Sequence, residues 1–512
     1  MIHTRITTSR RLVLNTLSNV GAQAFAALVN FVMIGVFLDQ LGAERYGVWI
    51  VVGSIFAYRG LLTMGLNSAV NRQIPVHLAE GDMRAVQRVV TTGFVYYVLV
   101  AAVLLLGTLG LYLGFDNLLA GDKDLVDDGR IAVVIVGSSY AVTLPLQVYD
   151  AALSSYQRYD LINAVVVAVL IARTAAVVAA LWLGFGIIAV AAVFSLAEIC
   201  LRFGSTFFAV GLMSGGQLRL ASFEPRILRA MLTYGFSTML YSSSILLIFK
   251  SADLVVGSLI SASAVSMFLI AATPALLLAT FMQMFAQAMK PAVSELDARN
   301  EKERVEEVAI LAQKYSLIIL LPAVAFLLLM GDSFLDIWVG SRFEPDELNE
   351  LYGVQRILVV GVGLLMAQHT NFMVLVGKGQ HRIFGISAAL MFMVNALLSS
   401  TVVRYLGGGL QAVAWSCCLS MAVVSTIVLP GDFSRKMEIP LSRSLHESWG
   451  PAFLAAAPVA LVIAVWRFTQ PASSWAELIT AIVVAGAIAI ATAWLFAIRS
   501  DERARIRSML PF

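Results

Sequence analysis

Apolar residues in this chain come in long continuous runs, each close to the roughly 20 residues that an α-helix needs to cross a bilayer. About fourteen runs are legible, at 13–38, 47–67, 89–114, 131–149, 161–182, 187–211, 231–259, 263–286, 308–330, 355–376, 383–404, 409–430, 451–469 and 477–498. A membrane β-barrel would instead alternate polar and apolar residues over about 10 positions. The pattern predicts an all-α integral membrane protein.

The polar breaks between runs differ by side. With the N-terminus inside, the inside loops carry Arg72, Arg84, Arg88, Arg158, Arg219, Arg226, Arg229, Lys290, Lys314, Lys378, Arg382, Arg435 and Lys436, and the tail adds Arg499, Arg503, Arg505 and Arg507. The outside loops are acidic, with Asp116, Asp122, Asp124, Asp127 and Asp128 in one and Asp332, Asp336, Glu344, Asp346, Glu347 and Glu350 in another. This is the positive-inside pattern, and it places both termini in the cytoplasm. Orientation accounts for the basic loops, so no nucleic-acid partner is needed. The most polar stretch, 290–314, reads as a solvated surface helix leading into the ninth span.

Composition agrees: 59% of residues are hydrophobic and 13% charged, against about 25% charged in soluble domains. The start of the chain, with Arg5, Arg10 and Arg11, resembles a signal n-region. The apolar run after it is too long for a signal peptide and more spans follow, which predicts an uncleaved first helix. Cys200, Cys417 and Cys418 all fall in apolar spans and form no CxxC site, so neither a disulfide framework nor a metal is expected.

The chain repeats itself. Leu183-Gly-Phe-Gly-Ile-Ile-Ala-Val-Ala191 matches Leu406-Gly-Gly-Gly-Leu-Gln-Ala-Val-Ala414, and upstream Gln157-Arg158-Tyr159 faces Gln380-His381-Arg382 at the same offset. Spans 1–6 and 7–12 therefore read as two copies with the same orientation. That predicts two six-helix bundles related by a pseudo-two-fold axis along the membrane normal, with two extra helices after them. The expected divisions are 1–212, 213–430 and 431–512.

Against this apolar background the embedded charges stand out. Arg59 lies in span 2, Arg173 in span 5, Glu198 and Arg202 in span 6, Lys250 and Asp253 in span 7, and His369 in span 10. Each charge at the bilayer centre costs on the order of 3 kcal/mol on insertion scales, so such groups face a bundle interior or a watery cavity. Lys250 and Asp253 follow Ser242, Ser243 and Ser244 within one helix, which reads as the wall of a polar cavity. Glu198/Arg202 and Lys250/Asp253 have the spacing to pair along a helix face. His369 reads as a hydrogen-bonded bundle residue. The embedded set sums to positive, and a low-dielectric cavity of that sign attracts anions. Arginine stays charged and grips phosphate bidentately, so a phosphate-bearing substrate is expected at Arg59, Arg173, Lys250 and Arg202. Asp253 and Glu198 are the candidates for ion coupling. Pro145, Pro274 and Pro322 lie in or beside spans, where they can kink helices. No HExxH, GxSxG or P-loop motif is present, so neither catalysis nor ATP hydrolysis by the chain itself is expected.

Several segments resemble the polysaccharide-type flippases of the multidrug/oligosaccharidyl-lipid/polysaccharide exporter superfamily. Leu41-Gly-Ala-Glu-Arg-Tyr-Gly-Val-Trp49 is similar to their turn after the first helix, and Met64-Gly-Leu-Asn-Ser-Ala-Val-Asn-Arg72 to the end of their second helix. Ser154-Ser-Tyr-Gln-Arg-Tyr-Asp-Leu-Ile-Asn163 resembles the loop before their fifth helix, and Asp253 with the Leu259–Met267 turn the start of their second bundle. The resemblance implies a flippase for undecaprenyl-pyrophosphate-linked oligosaccharides in the bacterial inner membrane, working by alternating access through a cationic cavity. O-antigen, capsule or exopolysaccharide synthesis would be its setting, with polymerase and other glycan-assembly proteins as partners and no cofactor. The chain departs from the family at Tyr58-Arg59-Gly60, where many members are acidic or neutral, so no coupling residue carries over to span 2. The alternatives are a multidrug exporter of the same superfamily, a lipid II flippase, or a membrane enzyme of glycan assembly. The twelve or so spans and acidic cavity usual for exporters of cationic drugs fit less well, and an enzyme would need a catalytic motif.

Overall fold

A span in hydrocarbon must satisfy its backbone hydrogen bonds internally, and the apolar runs all fold as helices. The computed structural model describes residues 2–120, 122–213, 222–242, 244–287, 289–380, 382–469, 472–498, 500 and 502–503. Ser243, Arg219, His381, Arg499, Arg505 and Arg507 lie outside the described residues, as do the side chains of Arg5, Arg10, Arg11, Ser242, Ser244 and Lys290. No strand occurs among the described residues. Packing divides the chain into two units, Met1–Ser266 and Met267–Phe512.

The first unit contains α1 (Ile2–Ala57), α2 (Arg59–Leu62), α3 (Leu66–Ala79), α4 (Met83–Gly114), α5 (Lys123–Thr143), α6 (Gln147–Ser155), α7 (Tyr159–Trp182), α8 (Ile187–Leu212), α9 (Pro225–Ser242), α10 (Ser244–Leu259) and the start of α11 (Ala262–Gln287). The second holds the rest of α11, then α12 (Met289–Ala298), α13 (Lys302–Val339), α14 (Pro345–Ala367), α15 (His369–Gly377), α16 (Arg382–Leu406), α17 (Leu410–Val423), α18 (Leu429–Met437), α19 (Leu441–Ser444), α20 (Gly450–Thr469) and α21 (Trp475–Thr492).

Twelve helical stretches among the described residues are long and apolar enough to cross a membrane. The first of these, Gly21–Leu62, contains two expected spans. They are parted at Gly42, whose backbone (φ 75°, ψ 169°) leaves the helix. The expected span at 231–259 is covered by α9 and α10, with Ser243 between them outside the described residues, so it is not among the twelve. These two differences reconcile the twelve stretches with about fourteen spans.

The Leu41–Trp49 segment owes its glycines to geometry. Gly42 takes a left-handed φ that a side chain disfavours. At Gly47 there is no room for a Cβ, because the Ala262 carbonyl occupies that space. Polar caps start several spans: the Asp82 carboxylate accepts from the Ala85 N–H at the head of α4. Glu344 and Glu347 form a reciprocal capping box around Pro345 at the head of α14.

The sequence repeat is also a backbone repeat. α7 and α16 begin 223 residues apart (159 and 382), as do α8 and α17 (187 and 410). Gly184 and Gly407 both adopt positive φ, at 82° and 65°. Gly186 and Gly409, one residue before each following helix, share the same extended conformation. α6 and α15 begin and end 222 residues apart, so the loop after α15 is one residue longer. Gln157 therefore corresponds to Gly379 in the turn geometry, one position from the alignment the sequence suggested.

One boundary needs correction. The fourth span does not end at 149: after a single 3-10 turn at Leu144–Leu146, where Pro145 sits, α6 carries the apolar segment on to Ser155. Pro274 and Pro322, in contrast, lie inside continuous helices. Residues 302–314 keep a solvated face, with Lys302, Glu303, Arg304 and Glu307 exposed, while Val305, Ala309, Ala312, Gln313 and Lys314 are buried on the other. α20 and α21 pack on α13 through Met330, Val459, Ile463, Leu478, Ala481 and Ala485, where the two alanines are of the small type that lets membrane helices approach closely.

Candidate functional site

All six charged residues expected at the site belong to the first unit. They form two groups, with Arg59 as a further cation.

On α10, Lys250 Nζ donates to Asp253 Oδ2 at 2.8 Å. Asp253 is almost fully buried, at 2% exposure. Ser54 Oγ on α1 lies 2.8 Å from the same oxygen and 2.7 Å from the Ile50 carbonyl, so its single proton has two possible acceptors. The Tyr46 and Tyr58 phenols lie within electrostatic reach of Asp253. A buried carboxylate is tolerable only with such partners.

The second group runs along α8. Phe194, Glu198 and Arg202 are spaced four apart and share a face. Arg202 Nε donates to Glu198 Oε1 at 2.9 Å. Its other side is ion-paired with Asp150 of α6. The Arg173 guanidinium, on α7, covers the Phe194 ring at 4.4 Å from the centroid. It lies within electrostatic reach of Glu198, one turn further along α8, and of Tyr140.

Arg59 is placed differently from expectation. It does not sit within an unbroken span but begins α2, just after α1 ends at Ala57. Its guanidinium stacks on Tyr140, 3.7 Å from the ring centroid, and Phe56 supports that ring from another side. Trp49 meets Phe194 edge-on at 4.8 Å between ring centroids. Arg59 and Arg173 thus each lie on an aromatic face, which favours a cation but uses none of its N–H donors. Among the described residues neither makes an ion pair. Tyr140 touches one and lies within reach of the other, which places both arginines around one phenol.

Asp150 is the site residue that sequence reading missed. It lay one position beyond the expected end of span 4. The continuing apolar run Val148-Tyr149-Asp150-Ala151-Ala152-Leu153 was the available signal. With Asp150 included, four embedded cations face three carboxylates, so the surplus shrinks to one positive charge. His369, expected as a bundle residue, is buried at the α14–α15 interruption beside Phe372. The three cysteines are free, and no group of metal-binding side chains occurs among the described residues.

Comparison with known proteins agrees with this architecture. Residues 129–346 match the family model described as polysaccharide biosynthesis protein. No curated protein matches the chain. Among solved structures, the lipid II flippase MurJ in an inward closed conformation superposes with a TM-score of 0.71 at 15% identity, covering 94% of this chain and 98% of its own. An inward-facing multidrug resistance MATE family transporter of the MOP superfamily gives 0.65 at 16% identity, with 81% and 95% covered. A MOP superfamily transporter from Pyrococcus furiosus, described as having reversed binding-pocket polarity, gives 0.58 at 16% identity, with 84% and 96% covered. The chain is a multi-pass membrane protein with the fold of MOP-superfamily transporters. The family match and the fold together support the resemblance to polysaccharide flippases.

Proposed function

We propose that this chain is a flippase that moves polyprenyl-pyrophosphate-linked oligosaccharide units across the bacterial inner membrane by alternating access. O-antigen, capsule or exopolysaccharide synthesis is the setting we propose, with glycan-assembly proteins such as the polymerase as partners. The observation that carries the reading is the pair Arg59 and Arg173, two embedded guanidiniums stacked on aromatic rings with no ion pair among the described residues. Pyrophosphate is the anion such donors fit, since each guanidinium offers a planar fork of N–H groups. Lys250 adds positive charge, although Asp253 already holds its ammonium. The polyprenyl tail would stay in the bilayer while the sugars cross a hydrated path. Asp253 and Glu198 are the carboxylates proposed for ion coupling, and each is tied to a cation here. The basic loops orient both termini to the cytoplasm in this proposal.

An exporter of cationic drugs would want a net acidic cavity, which the first unit does not supply. A lipid II flippase would use the same pyrophosphate chemistry, and the family match to polysaccharide biosynthesis favours the oligosaccharide.

The test is accumulation of the lipid-linked glycan on the cytoplasmic leaflet after gene deletion, with complementation by wild type, Arg59→Gln and Arg173→Gln. Accumulation that wild type relieves and both variants fail to relieve is expected. Relief by both variants would reject the phosphate site. Normal glycan export in the deletion strain, with new sensitivity to cationic dyes, would reject the flippase.

A further inference from the structure

The row of charges along α8 alternates in sign. Arg173 lies over Phe194, Glu198 stands one turn further along, Arg202 one turn beyond that, and Asp150 closes the row. The four charges cancel. Arg202 is held on both sides by carboxylates, so its charge is more than neutralised and it is a poor ligand for another anion. Glu198 lies between two guanidiniums but is bonded to only one. It is hydrogen-bonded to Arg202 at 2.9 Å and within electrostatic reach of Arg173, with which it makes no ion pair.

A bare arginine in a low-dielectric interior would bind a phosphate and keep it. Transport requires a site strong enough to load and weak enough to empty. A tethered carboxylate beside the arginine meets that requirement, because its charge opposes the cargo's and lowers the cost of release. The row is absent from the second unit: at the same offsets Arg173, Glu198 and Arg202 correspond to Ala396, Met421 and Ser425, and Asp150 to Phe372.

We infer that Glu198 is a built-in counter-anion that weakens the hold of Arg173 on the substrate's phosphate and so allows release. Arg202 and Asp150 are positioning residues: they anchor Glu198 near Arg173 without letting it close on it. During loading and release Glu198 keeps Arg202 as its partner, so no buried charge is left bare. This inference rests on the phosphate reading of Arg173 above and assigns Arg202 a role other than substrate ligand.

The experiment uses the full-length protein in lipid nanodiscs, titrated calorimetrically with farnesyl pyrophosphate, with melting temperature recorded for every variant. Glu198→Gln removes the competing charge, and about tenfold tighter binding is expected, the size of a single nearby charge at partly screened range. Arg202→Gln frees Glu198 to close on Arg173, so binding weakens. Glu198→Gln combined with Arg202→Gln restores binding to the wild-type level or better, an outcome that a purely structural role for Arg202 does not produce. Glu198→Gln gives no gain in an Arg173→Gln background.

Binding by Glu198→Gln that equals or falls below wild type overturns the counter-anion. Failure of the double variant to recover makes Arg202 a ligand and overturns its positioning role. Both results leave the phosphate site standing, provided that Arg173→Gln weakens binding. If wild type does not bind the probe, or Arg173→Gln binds as well as wild type, the phosphate site itself falls and this inference with it.

Discussion

The clamp between α13 and the end of the chain allows the sharpest energetic test. Lys314 Nζ lies 2.6 and 2.7 Å from the two Glu502 oxygens and 3.3 Å from the Ala497 carbonyl. Tyr315 Oη adds a contact to Glu502 at 3.3 Å. The two charged side chains are only 3% and 11% exposed. Removing one partner of such a pair leaves a buried charge and costs about 3–5 kcal/mol, whereas replacing both by apolar residues of similar volume is often neutral. Lys314→Met or Glu502→Met alone should therefore lower the melting temperature of the solubilised protein by roughly 6–10 °C, at about 2 °C per kcal/mol for a unit of this size. The double variant should recover most of that loss. The assay is a double-mutant cycle followed by thermal unfolding in one detergent. Single variants within about 1 kcal/mol of wild type, or additive losses in the double, would show that the pair does not anchor the chain end. At the other end of α13, Asp332 is ion-paired with Arg467 of α20, and Arg467 also donates to the Leu329 carbonyl at 2.6 Å. The cycle at Lys314 thus measures one of the polar attachments that join α13 to the segments after α18, alongside the apolar packing of α20 and α21.

Two further outcomes follow from the packing of α1. Gly47→Ala should abolish monodisperse protein in size-exclusion chromatography, because the added methyl meets the Ala262 backbone, while Gly53→Ala on the same helix, with open space around it, should behave as wild type; equal behaviour of the two would refute the close approach. Lys250→Met should destabilise the first unit by about 3–5 kcal/mol by stranding the Asp253 carboxylate, and adding Asp253→Leu should recover much of it in a thermal-shift assay; no recovery would mean that Asp253 is satisfied by other partners.

Much of this fold could be read from periodicity, because a bilayer leaves so few options. Run length set the helices and loop charge set their proposed orientation. The duplication was legible at Leu183–Ala191 and Leu406–Ala414, since turns constrain residue type more tightly than lipid-facing helix does. What escaped was whatever depended on a distant partner. Lys314 looked like a loop cation because its reason for burial, Glu502, lies 188 residues away. Asp150 escapes a fourth span that ends at 149, because the apolar helix continues to Ser155 after a single 3-10 turn at Leu144–Leu146. The i,i+4 spacing of Glu198 and Arg202 predicted their bond, but not that Asp150 would hold the other side of the guanidinium.

The two units also show what a repeat preserves. Helix starts, glycine conformations and the interruption before α6 and α15 recur, since these follow from backbone constraints common to both copies. The charges do not recur. Function resides in particular side chains rather than in the fold that carries them, and here the row Arg173, Glu198, Arg202 and Asp150 lies in the first copy alone. The second copy is polar but neutral at its interruption, where Gln368, His369, Thr370 and Asn371 are all buried. A substrate that relied on both copies equally would leave matched charges in each. Under the proposed function, the asymmetry favours the first unit for the headgroup. It follows that neutral substitutions at Met421 or Ala396 should leave pyrophosphate affinity unchanged, whereas the corresponding changes at Glu198 and Arg173 should move it in opposite directions.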